Sequence, residues 1–199
     1  MMHSFSLSSK NMVLPEVYQV NGSTFPIYTG FRRILRILRL LDDPNVLDTD
    51  KHFVMMTLFF KDKIPPDPYE AFKWFVSCGI ERESGGEKDF DYEQDAREIY
   101  AAFMQVYGID LIETDMHYWR FSMLLDGVFS TDNALTNKVH LRHMDDSKAK
   151  RDSAIAIAKR NAAVSSTISG ATANLENLIR ERIQAGKPIN DLLGGVNNV

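Results

Sequence analysis

Cysteine is nearly missing from this chain: Cys78 is the only one in 199 residues. That excludes an intramolecular disulfide and a thiolate-rich zinc site. A charged leader followed by an apolar stretch is also missing from Met1-Met2-His3-Ser4-Phe5-Ser6-Leu7, so no signal peptide is expected. The longest apolar run, Phe53 to Phe60, closes at Lys61-Asp62-Lys63 and reads as a buried helix segment. Spanning a bilayer takes about 20 apolar residues, so no membrane partner is expected. A basic excess is lacking, with 23 Lys and Arg against 27 Asp and Glu and a net charge of -4. A surface built as a whole for nucleic acid would show the opposite balance. Ser84-Gly85-Gly86 fits neither a Walker motif nor a dinucleotide fingerprint, and a nucleophile elbow and a zincin helix are absent. Neither catalysis nor a cofactor is expected. What remains is a hydrophobic share of 44% and a charged share of 25%. Both are ordinary for a globular chain with a core, and they point to a soluble intracellular protein.

Along the chain the pattern predicts a mainly α fold: a compact bundle of short helices, a small β-hairpin before it, and a helical arm after it. Residues 1–16 are polar and Ser-rich, a flexible N-terminal arm. Val17-Tyr18-Gln19-Val20 and Thr24-Phe25-Pro26-Ile27-Tyr28 flank Asn21-Gly22, a type I′ hairpin signal. Pro26 lacks an amide donor and demands an edge strand. From Thr29 the period turns helical. Phe31, Ile34, Leu35, Leu38 and Leu41 form an apolar stripe, with Arg32, Arg33, Arg36 and Arg39 opposite, up to Asp42-Asp43-Pro44. Asp50 is the expected cap of a second helix ending near Phe60. Asp67-Pro68-Tyr69-Glu70 starts a third with an N-cap, proline at N1 and glutamate at N3. It carries Phe72, Phe75 and Val76 to about Gly79.

A charged loop, 81–89, precedes a fourth helix with Tyr92, Ala96, Ile99, Phe103 and Val106, stopped by Gly108. Thr114 or Asp115 opens a fifth, the most buried of the set. Met116, Trp119, Met123 and Leu124 line one of its faces, and Phe121, Leu125 and Val128 widen it. Thr131 or Asp132 opens a sixth, through about His143. Residues 17–143 thus make the helical core domain. Residues 144–199 form an Ala-rich basic arm with a joint at 165–170 and a frayed tail; no aromatic side chain occurs in 148–186. Charge divides accordingly: 13 basic and 21 acidic groups in 1–135, 10 and 5 in 136–187. Such asymmetry steers association.

His140 and His143, followed by Asp145 and Asp146, could offer a metal two imidazoles one turn apart, but no third ligand is set by the spacing. A solvated helix end is the simpler reading, and no metal site is assigned. His117 reads as a satisfied histidine and Cys78 as a small hydrophobe. Arg32, Arg36 and Arg39 share a face that phosphates would suit, yet a solvated face is favoured in so acidic a region, and a nucleic-acid partner is not expected. Ile168, Leu175, Leu178, Ile179 and Ile183 form a narrow stripe, accompanied by the basic Arg180 and Arg182, that fits either a docked helix or a recognition helix.

Phe25-Pro26-Ile27-Tyr28-Thr29 leading into Phe31-Arg32, Leu41-Asp42-Asp43, the run Tyr107-Gly108-Ile109-Asp110-Leu111, and Met116-His117-Tyr118-Trp119-Arg120-Phe121 together resemble a known family. It comprises proteins numbered fifteen in their founding phage, from long-tailed (siphovirus-type) phages of Gram-positive bacteria, encoded beside the tape measure protein. The resemblance spans residues 17–143. It departs at Arg120, where an acidic or tryptophan residue is the family expectation, and the segment beyond 165 has no counterpart. The resemblance implies a tail assembly chaperone that binds the tape measure protein and recruits tail tube subunits. It would work in the host cytoplasm and be absent from the mature virion. Within the segment beyond 165, Ile168, Leu175, Leu178 and Ile183, with the basic Arg180 and Arg182, are the recognition residues expected from the sequence pattern, and self-association into a homo-oligomer stays open. Two rival readings also stay open: a structural virion component, such as a head–tail connector or tail completion protein, and a nucleic-acid-binding regulator.

Overall fold

The computed structural model describes residues 13–80, 89–144 and 153–163. Residues 81–88 of the expected loop 81–89, the joint at 165–170, the stripe 168–183 and the frayed tail lie outside the described residues, as do residues 1–12 of the N-terminal arm. The fold is mainly helical with a two-stranded antiparallel hairpin in front, as the periodicity predicts.

Strands β1 (Val17–Val20) and β2 (Ser23–Pro26) pair Val17 with Pro26 and Val20 with Ser23. Asn21 and Gly22 take φ of 50° and 76°, the two left-handed residues of a type I′ turn. Both strands are edges, which suits Pro26; its carbonyl still accepts from the Lys61 amide at 3.0 Å. The hairpin leans on its neighbours through the buried side chains of Tyr18, Phe25 and Ile27.

All six helices expected between residues 29 and 143 are present, with adjusted ends. Helix α1 spans Phe31–Asp42, but the buried stripe is Phe31, Ile34, Ile37 and Leu40. Leu35, Leu38 and Leu41 are only half-buried, so the expected face is rotated. The buried residues follow an i+3 progression that turns this face of α1 toward α2, which sequence periodicity alone does not choose. Helix α2 (Asp48–Phe59) begins before Asp50 and has no side-chain cap; Asp48 and Asp50 instead sit in its first turn, favoured by the helix dipole. Helix α3 (Pro68–Val76) starts as expected, with the Asp67 carboxylate accepting from the Glu70 amide at 2.9 Å. It ends in a Schellman pattern: the Gly79 amide donates to Trp74 and the Cys78 amide to Phe75.

Helix α4 (Ala96–Tyr107) stops at Gly108, whose φ is 65°. Helix α5 (Tyr118–Val128) starts later than Thr114 or Asp115, because His117 first makes a bridge to Gly30. Its buried residues are Tyr118, Trp119, Phe121, Leu125 and Val128, while Met123 and Leu124 stay half-buried. Helix α6 (Ala134–His143) is capped by Asn133, not by Thr131 or Asp132: Asn133 accepts from the Thr136 amide at 3.1 Å. Thr131 instead accepts from the same Asn133 amide group, so it supports the cap. Helix α7 (Ser153–Ala162) is the described part of the basic arm.

The described residues fall into two compact units. In the first, residues 13–80 with 117–119, α1 packs on α2 and α2 on α3. Its centre is aromatic: Phe59 lies 5.1 Å from Phe72 and 5.3 Å from Phe75 between ring centres, and Trp74 lies 5.5 Å from Trp119. The Trp119 indole donates to the Phe75 carbonyl at 2.8 Å, so its only polar atom is satisfied. The second unit, residues 89–116 and 120–163, packs α6 against α4 and α7. There Phe103 stacks on Phe121 at 5.3 Å. Trp119, Phe121 and Phe103 are core residues, as assigned from the sequence.

Candidate functional site

Within the first unit, α1, α2 and α3 leave a groove of about 440 Å³. Its floor is Met55 and Phe72, both buried. Leu38, Leu41 and Val76 make half-exposed walls, and Tyr69 stands out from α3 with 57% of its surface exposed. The rim carries both signs of charge: Asp42 and Asp48 where α1 gives way to α2, Lys51 on α2 and Lys73 on α3, with His52 between. Lys51 lies 4.0 Å from Asp48, a loose surface pair that contributes little energy. An apolar floor with a polar rim suits the apolar stripe of a helix better than a small polar substrate. The rotation of α1 creates this site: Leu38 and Leu41, freed from the core, become its walls. Leu47 and Phe53 add exposed apolar surface to the same unit, at 67% and 47%.

The second unit holds a buried ionic network that sequence spacing does not reveal. Asp95, fully buried, receives both Nη groups of Arg142 at 2.7 and 2.8 Å and Lys138 Nζ at 2.7 Å. Lys138 also reaches Glu98 at 3.0 Å. Burial works to raise the Asp95 carboxyl, but the hydrogen bonds from Arg142 and Lys138 overturn this and hold it below the usual carboxylate range. Burial likewise works to lower Lys138, and its bonds to Asp95 and Glu98 hold it above its ordinary value. Arg142 further donates to the Asp89 and Ala162 carbonyls, the latter at the end of α7. This network organises structure; every charge in it is matched.

Other candidate chemistry is dispersed. His140 is exposed, and His143 sits 2.7 Å from Asp89. Among the described residues no group of three or more His, Cys, Asp or Glu could hold a metal ion. Cys78 is buried. His117 is fully used: Nδ1 accepts from the Trp119 amide at 3.0 Å, and Nε2 donates to the Pro15 carbonyl at 3.0 Å. No helix among the described residues is long and apolar enough to cross a membrane. The arginines of α1 are half-buried rather than a freely solvated face: the Arg32 guanidinium lies 4.8 Å from the Phe31 ring centre and that of Arg33 3.8 Å from Tyr28. Ile168, Leu175, Leu178, Arg180, Arg182 and Ile183 lie outside the described residues.

A family model described as bacteriophage Gp15 protein matches residues 11–162, well over half of the chain. Comparisons with curated proteins and with solved structures gave no match.

Proposed function

The chain belongs to the bacteriophage Gp15 protein family, and from that membership we propose that it is a tail assembly chaperone that shields the tape measure protein during virion morphogenesis. The observation that supports this reading is the groove between α1, α2 and α3, apolar at its floor and charged at its rim. A tape measure protein is long, helical and rich in apolar surface until a tube encloses it. Exposed stripes of that kind aggregate unless covered. In this reading one amphipathic helix lays its apolar side chains on Met55, Phe72, Leu38 and Leu41, while its flanking charges meet Asp42, Asp48, Lys51 and Lys73. No bond is made or broken, so the complex dissolves when tube subunits displace the chaperone. The basic arm 144–199, with Ile168, Leu175, Leu178, Arg180, Arg182 and Ile183, recruits those tube subunits. The chaperone then stays in the host cytoplasm.

Co-expression with the long helical protein encoded alongside tests the reading. The expected result is capture in a pull-down and a gain in partner solubility, both lost in a Leu38→Glu, Leu41→Glu variant that keeps its melting temperature. Wild-type capture that survives those substitutions, or no gain in solubility, refutes the groove as the binding site or the chaperone role, respectively.

A further inference from the structure

On the first unit, apart from the groove, two cations lie against one aromatic ring. Arg33 lies 3.8 Å from the centre of the Tyr28 ring and Lys61 Nζ lies 5.5 Å from it. The backbone holds this arrangement in place. Tyr28 donates its amide to Phe59 at 2.8 Å, Lys61 donates to Pro26 at 3.0 Å, and Ile27 bridges to Phe60 between them. Helix α1 starts only three residues after Tyr28 and returns Arg33 over the ring. At about 100° per residue, Arg33 and Leu38 flank the buried Ile34 and Ile37 on opposite sides of α1, and neither Arg33 nor Lys61 lines the groove.

Among the described residues the charge here is uncompensated. Neither Arg33 nor Lys61 forms an ion pair with a carboxylate among the described residues. Arg33 Nη1 is buried without an acceptor, while its other nitrogens are not sealed in this way. Burial lowers Arg33 below its ordinary value; Tyr28 opposes that, and the like charge of Arg36 adds to it. A desolvated guanidinium with a second cation beside it and no counter-ion among the described residues is costly for the free protein. Supplying a carboxylate would relieve that cost, because Arg and Lys give charge-assisted hydrogen bonds to it and the ring keeps water from one side.

We propose that Tyr28, Arg33 and Lys61 form a docking point for an acidic peptide segment of a partner protein, a second contact independent of the groove. A carboxylate peptide is favoured over nucleic acid because only two cations stand at this ring, whereas a phosphate backbone engages many cations at once.

The test uses the full chain and a fluorescein-labelled hexaglutamate peptide, with hexaglutamine and a single-stranded DNA oligonucleotide as comparisons, read by anisotropy. Hexaglutamate should bind in a salt-sensitive way and hexaglutamine should not. An Arg33→Gln, Lys61→Gln variant should weaken binding about ten-fold, the worth of a charge-assisted contact. Arg33→Lys with Lys61→Arg should restore most of it, and Leu38→Glu should leave it unchanged. Should Arg33→Gln lower the melting temperature, the exposed Lys61→Gln alone carries the comparison with a several-fold loss. Equal binding by wild type and the glutamine variants, no binding of hexaglutamate, or tighter binding of DNA through the same residues would overturn the proposal.

Discussion

At the scale of single residues, the ring of His117 is the clearest case of a side chain whose protonation state is set by its partners. Nδ1 must be bare to accept from Trp119, and Nε2 must carry hydrogen to donate to Pro15. Burial pushes this histidine below its ordinary value of 6.5, and the Pro15 bond and Glu16 only partly oppose it. The unfolded chain therefore takes up the proton first as pH falls. Stability from this contact is complete above pH 6.5 and declines below it until the folded value is passed. Melting temperature against pH should show this loss in the wild type, and His117→Gln should flatten it. Gly127 is a second such position. A β-carbon there would lie 2.4 Å from the Tyr107 hydroxyl oxygen, which donates to the Leu124 carbonyl. Gly127→Ala should destabilise by about 1 kcal/mol or more through overpacking. In a Tyr107→Phe background the same change should stabilise by up to about 1 kcal/mol, since only the helix preference of alanine remains. Denaturant melts of the four proteins read that change of sign.

At the scale of elements, caps and the buried network decide where helices begin and what they hold. Asp67→Ala removes the acceptor of the Glu70 amide at the start of α3, and should cost about 1 kcal/mol in a denaturant melt. Arg142 matters far more. It joins Asp95 at the start of α4 to α6 and to the end of α7. Arg142→Ala leaves the Asp95 carboxylate buried with only Lys138, so the expected loss is about 3–5 kcal/mol, with α7 released first in hydrogen exchange. Because Asp95 is held below its ordinary value of 3.8, its contribution is complete above that pH and is lost as pH falls through the folded value. Acid unfolding of Asp95→Asn should lack this step while keeping the one due to His117.

At the scale of the whole molecule, a transient helper differs from a structural part in where it ends up. Mass spectrometry of purified particles should find the tail tube and tape measure proteins and not this chain; a stoichiometric presence would favour the connector reading instead. Deleting 165–199 should leave capture of the tape measure protein intact and remove capture of the tube subunit. Unchanged capture of both would take the recruiting role away from the arm.

Local chemistry alone determined much of this protein. Asn21-Gly22 dictated the hairpin and its register, because both residues accept positive φ at little cost. Asp67-Pro68-Tyr69-Glu70 dictated the start of α3, and Gly108 the end of α4, since caps act through neighbours within one turn. The aromatic core residues Phe103, Trp119 and Phe121 were legible from period and size. Which face of α1 turns inward was not: leucine and isoleucine surround that helix on more than one side, and only packing against neighbours such as α2 selects Ile34 and Ile37 over Leu35 and Leu38. The groove follows from that choice and so was invisible in the chain. Asp95 with Arg142, 47 residues apart, and Tyr28 with Arg33 and Lys61 belong to the same class. Charges carry no sequence mark of their partners, and only the tertiary structure brings them within reach of one another.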